Sequence, residues 1–360
     1  MKLFNVGALR PATDGARLSA ANDLVQRTLA QHGLVPQSGH AAGQEMSNMP
    51  SLESMLAKFA VPTGKTGRAD VAIPAGAEFR SDTFTCPAGS RTYRTYIPAS
   101  ATEGVTGVVI MLHGCTQTPE DFAAGTGMNA LAELHRIVVV YPAQSRGNNA
   151  QSCWNWFSRG DQRRGRGEPA ILAGIASLVS KEHRVGPDQT FVAGLSAGAA
   201  MAVILGETYG DVFAAVGAHS GLPAGAAKDV ASAFSAMAGN ALDVVGKPVA
   251  TGKARTIVFH GTADATVHPS NGDAIARRAV DAGAPQSIET STKGEAAGRR
   301  FTRTITSDLQ GRPIVEHWAI EGQSHAWSGG QPTGSYTDPK GPDASAEMIR
   351  FFFNTPDKEL

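Results

Sequence analysis

Residues 192–201 read VAGLSAGAAM. An apolar run leads into a serine set between two glycines, and an alanine-rich segment leaves it. The pentad Gly194-Leu195-Ser196-Ala197-Gly198 fits G-x-S-x-G, a sharp strand-to-helix turn in which the serine backbone is strained. Glycines flank the serine because neighbouring side chains would collide in so tight a bend. The turn lifts Oγ above the end of the strand and points the positive end of the next helix at it. An incidental glycine-rich turn would match the same five letters, so the flanks decide. QTFVA before and AGAAMAVILGETY after have the composition of a buried strand and a buried helix.

Strand and helix signals alternate on both sides of this turn. GVVIMLHG (107–114), IVVVYP (137–142), QTFVAGLS (189–196), FAAVGAHSG (213–221) and ARTIVFHG (254–261) are short apolar runs ended by turn residues. EDFAAGTGMNALAELHR (120–136), EPAILAGIASLVSKEHR (168–184), NGDAIARRAVDAG (271–283) and DASAEMIRFFF (343–353) each read as one helix. EFRSDTFT, a CPAG turn and SRTYRTYIP predict an opening hairpin, and FTRTITSDLQGRPIVEHWAIEG (301–322) a second one. Strands joined by helices imply an α/β fold, a mostly parallel twisted sheet with helices on both faces. Such sheets carry their sites at the carboxyl ends of the strands. The expected domain spans residues 76–360. Residues 1–75 read as an N-terminal extension, with an amphipathic helix over 13–33 (Leu18, Ala21, Val25, Leu29) and a flexible linker over 36–51.

A serine alone is a poor nucleophile and needs a base oriented by an acid. In a fold entered by this elbow the order along the chain is serine, acid, histidine. ARTIVFH runs into GTADATVHP, which sets Asp264 just past a strand. IVEHWAIEG runs into QSHAWSGG, which sets His325 in the same relation to a later strand. His268 and Asp273 lie nearby, but Asp273 sits inside a helical pattern; His317 falls within a strand, and His219 ends a neighbouring one. Two N–H donors are also needed for a tetrahedral oxyanion. The backbone N–H of Ala197 follows the nucleophile directly. IMLHGCTQT supplies the second: His113-Gly114 turns the chain and Cys115 N–H is the donor.

The bulk composition narrows the remaining classes. Thirty-two basic residues balance thirty-two acidic ones, so no net charge draws the chain to nucleic acid or anionic lipid. No run approaches the roughly 18 apolar residues of a membrane span. MKLFNVGALRPATDGARL lacks the apolar core of a secretory signal, which predicts a cytoplasmic location. Three cysteines are too few for a disulfide framework and are not spaced as zinc ligands.

LHGCTQTPEDFA, YPAQ, CWNWF, GLSAGAAM, HGTAD and GQSHAWSGG occur in that order, and with them the chain resembles the poly(3-hydroxybutyrate) depolymerase-type esterases. These are α/β-hydrolases, related to feruloyl and acetylxylan esterases. The likeness runs from about Phe79 to Phe353. It implies a triad of Ser196, Asp264 and His325, an oxyanion loop at Cys115, and ester hydrolysis without metal or organic cofactor. The implied substrates are hydroxyalkanoate polyesters or oligomers, feruloyl esters and short synthetic esters. Members that degrade solid polymer resemble this domain with a secretion signal and a polymer-binding domain added. Neither is visible here, so soluble oligomers or small esters are the expected substrates, and extracellular members of the family leave that compartment open.

Trp154, Trp156 and Trp327 fall in the expected site loops, where they and His113 would line a cleft for an acyl chain or aromatic ring. For Trp156, core packing is an equal expectation. Cys115 and Cys153 precede loops that should meet above the sheet, as a disulfide or as two buried thiols; Cys86 reads as unpaired. SRGDQRRGRGE (158–168) reads as a solvated loop. A feruloyl or acetylxylan-type esterase is the second reading, and a binding protein on an inactive hydrolase scaffold the third. Oligomeric state has no sequence signal.

Overall fold

The computed structural model describes residues 71–240, 254–283 and 287–354. The helix expected over 13–33 and the linker over 36–51 lie outside the described residues.

Ten strands form one sheet. In chain order they are β1 (Glu78–Cys86), β2 (Gly89–Ile97), β3 (Gly107–Leu112), β4 (Ile137–Pro142), β5 (Thr190–Leu195), β6 (Ala215–His219), β7 (Arg255–Gly261), β8 (Ile288–Ala296), β9 (Arg299–Ser307) and β10 (Pro313–Ile320). The spatial order is β1-β2-β4-β3-β5-β6-β7-β10-β9-β8. From β4 to β10 the pairings are parallel, and the hairpins at either flank are antiparallel. A two-stranded ladder joins Trp327–Ser328 to Thr337–Asp338.

The helices are α1 (Pro119–Thr126), α2 (Met128–His135), α3 (Gly167–Glu182), α4 (Ala197–Thr208), α5 (Val230–Met237), α6 (Ser270–Gly283) and α7 (Ala344–Phe352). Successive residues of β3 feed two separate cores, Val108, Ile110 and Leu112 on one face and Val109 and Met111 on the other. The first core packs against α3 and α4; the second packs against α1, α2 and α7. A strand buried on both faces has no polar alternation, and β3, β4, β5, β6 and β7 are buried along their whole lengths. Each aliphatic side chain so buried contributes roughly 1.5–3 kcal/mol.

Two elements differ from the sequence expectation. The single helix over 120–136 is two, because Gly127 takes a left-handed conformation (φ 63°) that ends α1 and starts α2. Thr118 caps α1 by accepting the Asp121 N–H, with Pro119 in the first turn. The hairpin over 301–322 is the inner part of a three-stranded antiparallel flank, because β8 pairs with β9 along its full length.

Chain order positions the functional edge. From β3 the chain passes to β4 on one side and then returns to β5 on the other. The carboxyl ends of β3 and β5 therefore bound a crevice at which the winding reverses, where open α/β sheets bind their ligands.

Candidate active site

The elbow stands at that crevice. Ser196 has φ 58° and ψ −120°, a region a side-chain-bearing residue occupies only when its surroundings force it. A Cβ on Gly194 would lie 2.5 Å from the Gly198 carbonyl carbon, and one on Gly198 only 2.0 Å from the Leu112 oxygen. The elbow thus rests on the end of β3, and no larger residue fits either place. Ser196 N–H donates to His219 O at 2.9 Å, tying the turn to the end of β6. Positive φ recurs at Thr116, Ser152, Ser220 and Tyr336, all in loops beside the crevice. It also occurs at Arg136, Arg184, Ala297 and Asn354, outside these loops.

β5, β7 and β10 point the same way, so Ser196, Asp264 and His325 all lie past the same edge of the sheet. His325 Nδ1 stands 2.8 Å from Asp264 Oδ2. Asp264 Oδ1 accepts the N–H groups of Thr266 and Val267, both at 2.9 Å. Burial opposes ionisation of this carboxyl, but the imidazoles of His260 and His325 and the Val267 N–H outweigh it and hold it well below the usual carboxylate range. The acid loop and the histidine loop are joined directly: Ala263 N–H donates to Gln323 O, and Gly322 N–H to Thr262 Oγ1. Gly261 permits this, since a Cβ there would lie 2.2 Å from Gln323 O.

The oxyanion loop is braced from several directions. Gly114 N–H donates to Gln117 Oε1 (2.8 Å) and Thr116 N–H to Gln151 O (2.8 Å). Gln117 Nε2 in turn donates to Asp121 and to Ser335 O. Among the described residues none accepts the Cys115 N–H. Cys115 and Cys153 are joined as a disulfide, with Cα atoms 4.3 Å apart, and Cys86 is free. The far side of this tie is set by the buried carboxylate of Glu168, which receives Arg91 (2.9 Å), Asn155 N–H (2.7 Å) and Gln144 Nε2.

His113, Trp154 and Trp327 depart from the cleft-wall expectation, while Trp156 follows the core-packing alternative. His113 is buried; its Nε2 accepts Gln144 N–H, so Nδ1 carries the hydrogen and donates to Gly114 O. Burial lowers its pKa to about 4, so it stays neutral and serves as a strut. Trp154, Trp156 and Trp327 are 0%, 5% and 1% exposed. Trp154 Nε1 donates to His113 O, and Trp327 Nε1 to Ser345 Oγ. An indole that finds a polar partner inside can bury its whole ring. Trp327 packs edge-on to Phe122 and stacks on His219, which pins the histidine loop two residues past His325.

His219 completes the pin. Ser328 N–H donates to its Nε2 (3.0 Å), leaving Nδ1 to face Ser220 Oγ (3.2 Å). Burial, with His260 and His325 nearby, lowers its pKa to about 3. Tyr336 was not foreseen: its hydroxyl lies 3.2 Å from Thr116 Oγ1 and its ring edge-on to His325. Nothing in the flanking residues marks it, because only the folded ladder brings 336 beside 327. His268 and Asp273 are not paired with each other; His268 faces Ser270, and Asp273 lies 3.7 Å from His317. Among the described residues, no helix is long and apolar enough to cross a membrane.

Comparison with known proteins agrees with this architecture. A family profile for "Esterase PHB depolymerase" matches residues 91–304. An α/β-hydrolase by fold, the chain belongs to the PHB depolymerase esterase family. It is 34% identical to poly(3-hydroxyalkanoate) depolymerase C of Paucimonas lemoignei over 61% of this chain and 54% of that one. It is 30% identical to the poly(3-hydroxybutyrate) depolymerase of Ralstonia pickettii over 67% of this chain and 53% of that one. The chain thus spans about half the length of these depolymerases. Among solved structures, an acetyl xylan esterase from Aspergillus awamori aligns with TM-score 0.60 at 18% identity, covering 77% of this chain and 98% of that one.

Proposed function

We propose that the chain is a serine ester hydrolase acting through an acyl-enzyme. Ser196 Oγ attacks the ester carbonyl and His325 takes its proton, while Asp264 holds the imidazole with Nδ1 protonated. The N–H groups of Cys115 and Ala197 receive the oxyanion. His325 then protonates the leaving alkoxide and activates a water that releases the acid. The observation that carries this reading is the 2.8 Å contact of His325 with Asp264, on the same sheet edge as a strained elbow serine.

For substrate, hydroxyalkanoate oligomers and short-chain esters fit the relatives named depolymerases. A carbohydrate-linked acetyl ester is the second reading. It is supported by a 29% identical relative from Aspergillus clavatus named probable acetylxylan esterase A, of which the chain covers 71%. The Cys115–Cys153 link favours an oxidising compartment over the cytoplasm. No metal or organic cofactor is assigned a part.

The test is labelling with a fluorophosphonate, read by peptide mass, beside turnover of wild type and Ser196→Ala. The expected result is one adduct on Ser196 and a loss on the order of 10⁶ in kcat for the variant. Comparable turnover in the variant ends the proposal. Rates on 3-hydroxybutyrate oligomers, a p-nitrophenyl ester length series, acetylated xylan and methyl ferulate then rank the substrate classes.

A further inference from the structure

His260 is the penultimate residue of β7, one before the glycine at which the two site loops meet, and it is 2% exposed. Its Nε2 lies 2.9 Å from Val267 O and 3.5 Å from Asp264 Oδ2. Both neighbours are acceptors, so Nε2 carries a hydrogen; it donates this to Val267 O, and Asp264 Oδ2 lies beside it at ion-pair distance. The other ring nitrogen, Nδ1, is buried without a hydrogen-bond partner among the described residues. Gly272 of α6 closes over that side, where a Cβ would lie 2.7 Å from Nδ1. The ring is therefore clamped, and only one of its nitrogens does anything.

That nitrogen completes the shell of the buried carboxylate. Oδ1 is fixed by two backbone N–H groups, whereas Oδ2 has His325 on one side and His260 on the other. Val267 takes part twice: its N–H reaches Oδ1 and its carbonyl receives His260. With His260 gone, the carboxylate is held through the two N–H groups on Oδ1 and, among the described residues, by His325 alone on Oδ2. It would then be freer to turn with the imidazole.

We propose that His260 is a positioning residue for hydrolysis: its Nε2–H, anchored on Val267 O, also faces Asp264 Oδ2 at 3.5 Å and keeps it in the plane that orients His325. This rests on the serine-hydrolase reading. The rival account is that His260 only closes the acid loop through Val267 O, with no bearing on turnover.

Two isosteres separate the accounts. In His260→Gln the amide nitrogen falls where Nε2 was, and in His260→Asn where Nδ1 was. Turnover of p-nitrophenyl butyrate should fall roughly 10- to 100-fold in His260→Asn and His260→Leu, the worth of a hydrogen bond to a charged group. KM should stay within about twofold, and His260→Gln should recover most of kcat. In an Asp264→Ala background, His260→Leu should cost less than about twofold more, because a residue acting through Asp264 has nothing left to act on. Thermal melts establish that the variants compared are folded; should His260→Leu not fold, the Gln and Asn pair carries the test. Gln no better than Asn, or an equal loss in the Asp264→Ala background, overturns the proposal. Unchanged His260 variants with a Ser196-dependent wild type overturn it while sparing the hydrolase reading. Hydrolysis that survives Ser196→Ala removes both.

Discussion

Strands β3 through β7 are buried along their whole lengths, whereas on β8 six consecutive residues, Ile288 to Lys293, are exposed. The two regions belong to one sheet and are held together differently. In the centre, apolar burial fixes the strands, and their carboxyl edge bears a positive-φ serine, buried histidines and glycines that leave no room for a Cβ. In the β8–β9–β10 flank, charge does more of the work. Glu316 is fully buried and receives Arg303, Arg350 and the Trp318 indole. Rigidity beneath the edge lets strain persist above it, because a closely packed core has no slack through which the elbow could relax. The flank carries no such burden and tolerates exposure.

The largest effect should come from the centre. Gly198→Ala puts a methyl group 2.0 Å from the Leu112 oxygen, and the obstacle is backbone rather than a movable side chain. The expected cost is roughly 4–5 kcal/mol of stability, at the extreme for a point mutation. Turnover per folded molecule should also fall at least about 10²-fold, since the elbow must shift. Denaturant melts and active-site titration measure the two separately. Loss of stability without loss of turnover would mean that the elbow geometry is not what sets the rate.

In the flank, Glu316→Gln keeps the volume and removes the charge that Arg303 and Arg350 share. Breaking a buried pair on one side should cost roughly 2–4 kcal/mol. Below the melting transition kcat and KM should match wild type. A changed kcat would show that the flank communicates with the edge and is more than a support.

What could be read from the sequence divides along the same line. The apolar runs of β3 to β7 announce themselves because burial on both faces demands them, and the elbow because its glycines are sterically required. That Asp264 and His325 come together is expected from chain order and from their places just past two such strands. IETSTKGEA, which forms β8, has no apolar face and so carries no strand signal. The tryptophans were misplaced for a different reason. A loop address suggested exposure, but Trp154 and Trp327 found a carbonyl and a hydroxyl inside, and no sequence pattern reveals such partners. His260 lay within HGTAD all along, but only coordinates place its Nε2 beside Oδ2.

A milder probe of the centre is pH. His113 and His219 are neutral in the folded protein, their pKa values lowered by burial to about 4 and about 3. Unfolded, each titrates near 6.5. As pH falls below 6.5 the unfolded chain takes up protons that the folded one refuses, so stability falls by about 1.4 kcal/mol per pH unit for each histidine. His183 and His317, also lowered by burial, add in the same direction. Asp264 does not oppose this, because its lowered pKa contributes stability that is lost only below the ordinary carboxylate range. Glu168 and Asp343, raised by burial, act in the opposite sense: folded, they take up protons at higher pH than unfolded and offset part of the loss. Urea midpoints at pH 7.0 and 5.5 should differ accordingly; equal midpoints would mean that these imidazoles are solvated rather than buried.

The smallest effect should come from the outer strand. Ile288 begins β8 and is 53% exposed, and its partner in the ladder is Ser307. Threonine keeps the β-branch that suits a strand and removes apolar surface already half in water. Ile288→Thr should therefore move stability by less than about 0.5 kcal/mol and leave turnover unchanged. The comparison breaks here if it breaks anywhere. A cost above 2 kcal/mol in a thermal melt would mean that this edge is covered in solution, by another chain or by residues outside those described, and the flank would then be an interface rather than a tolerant margin.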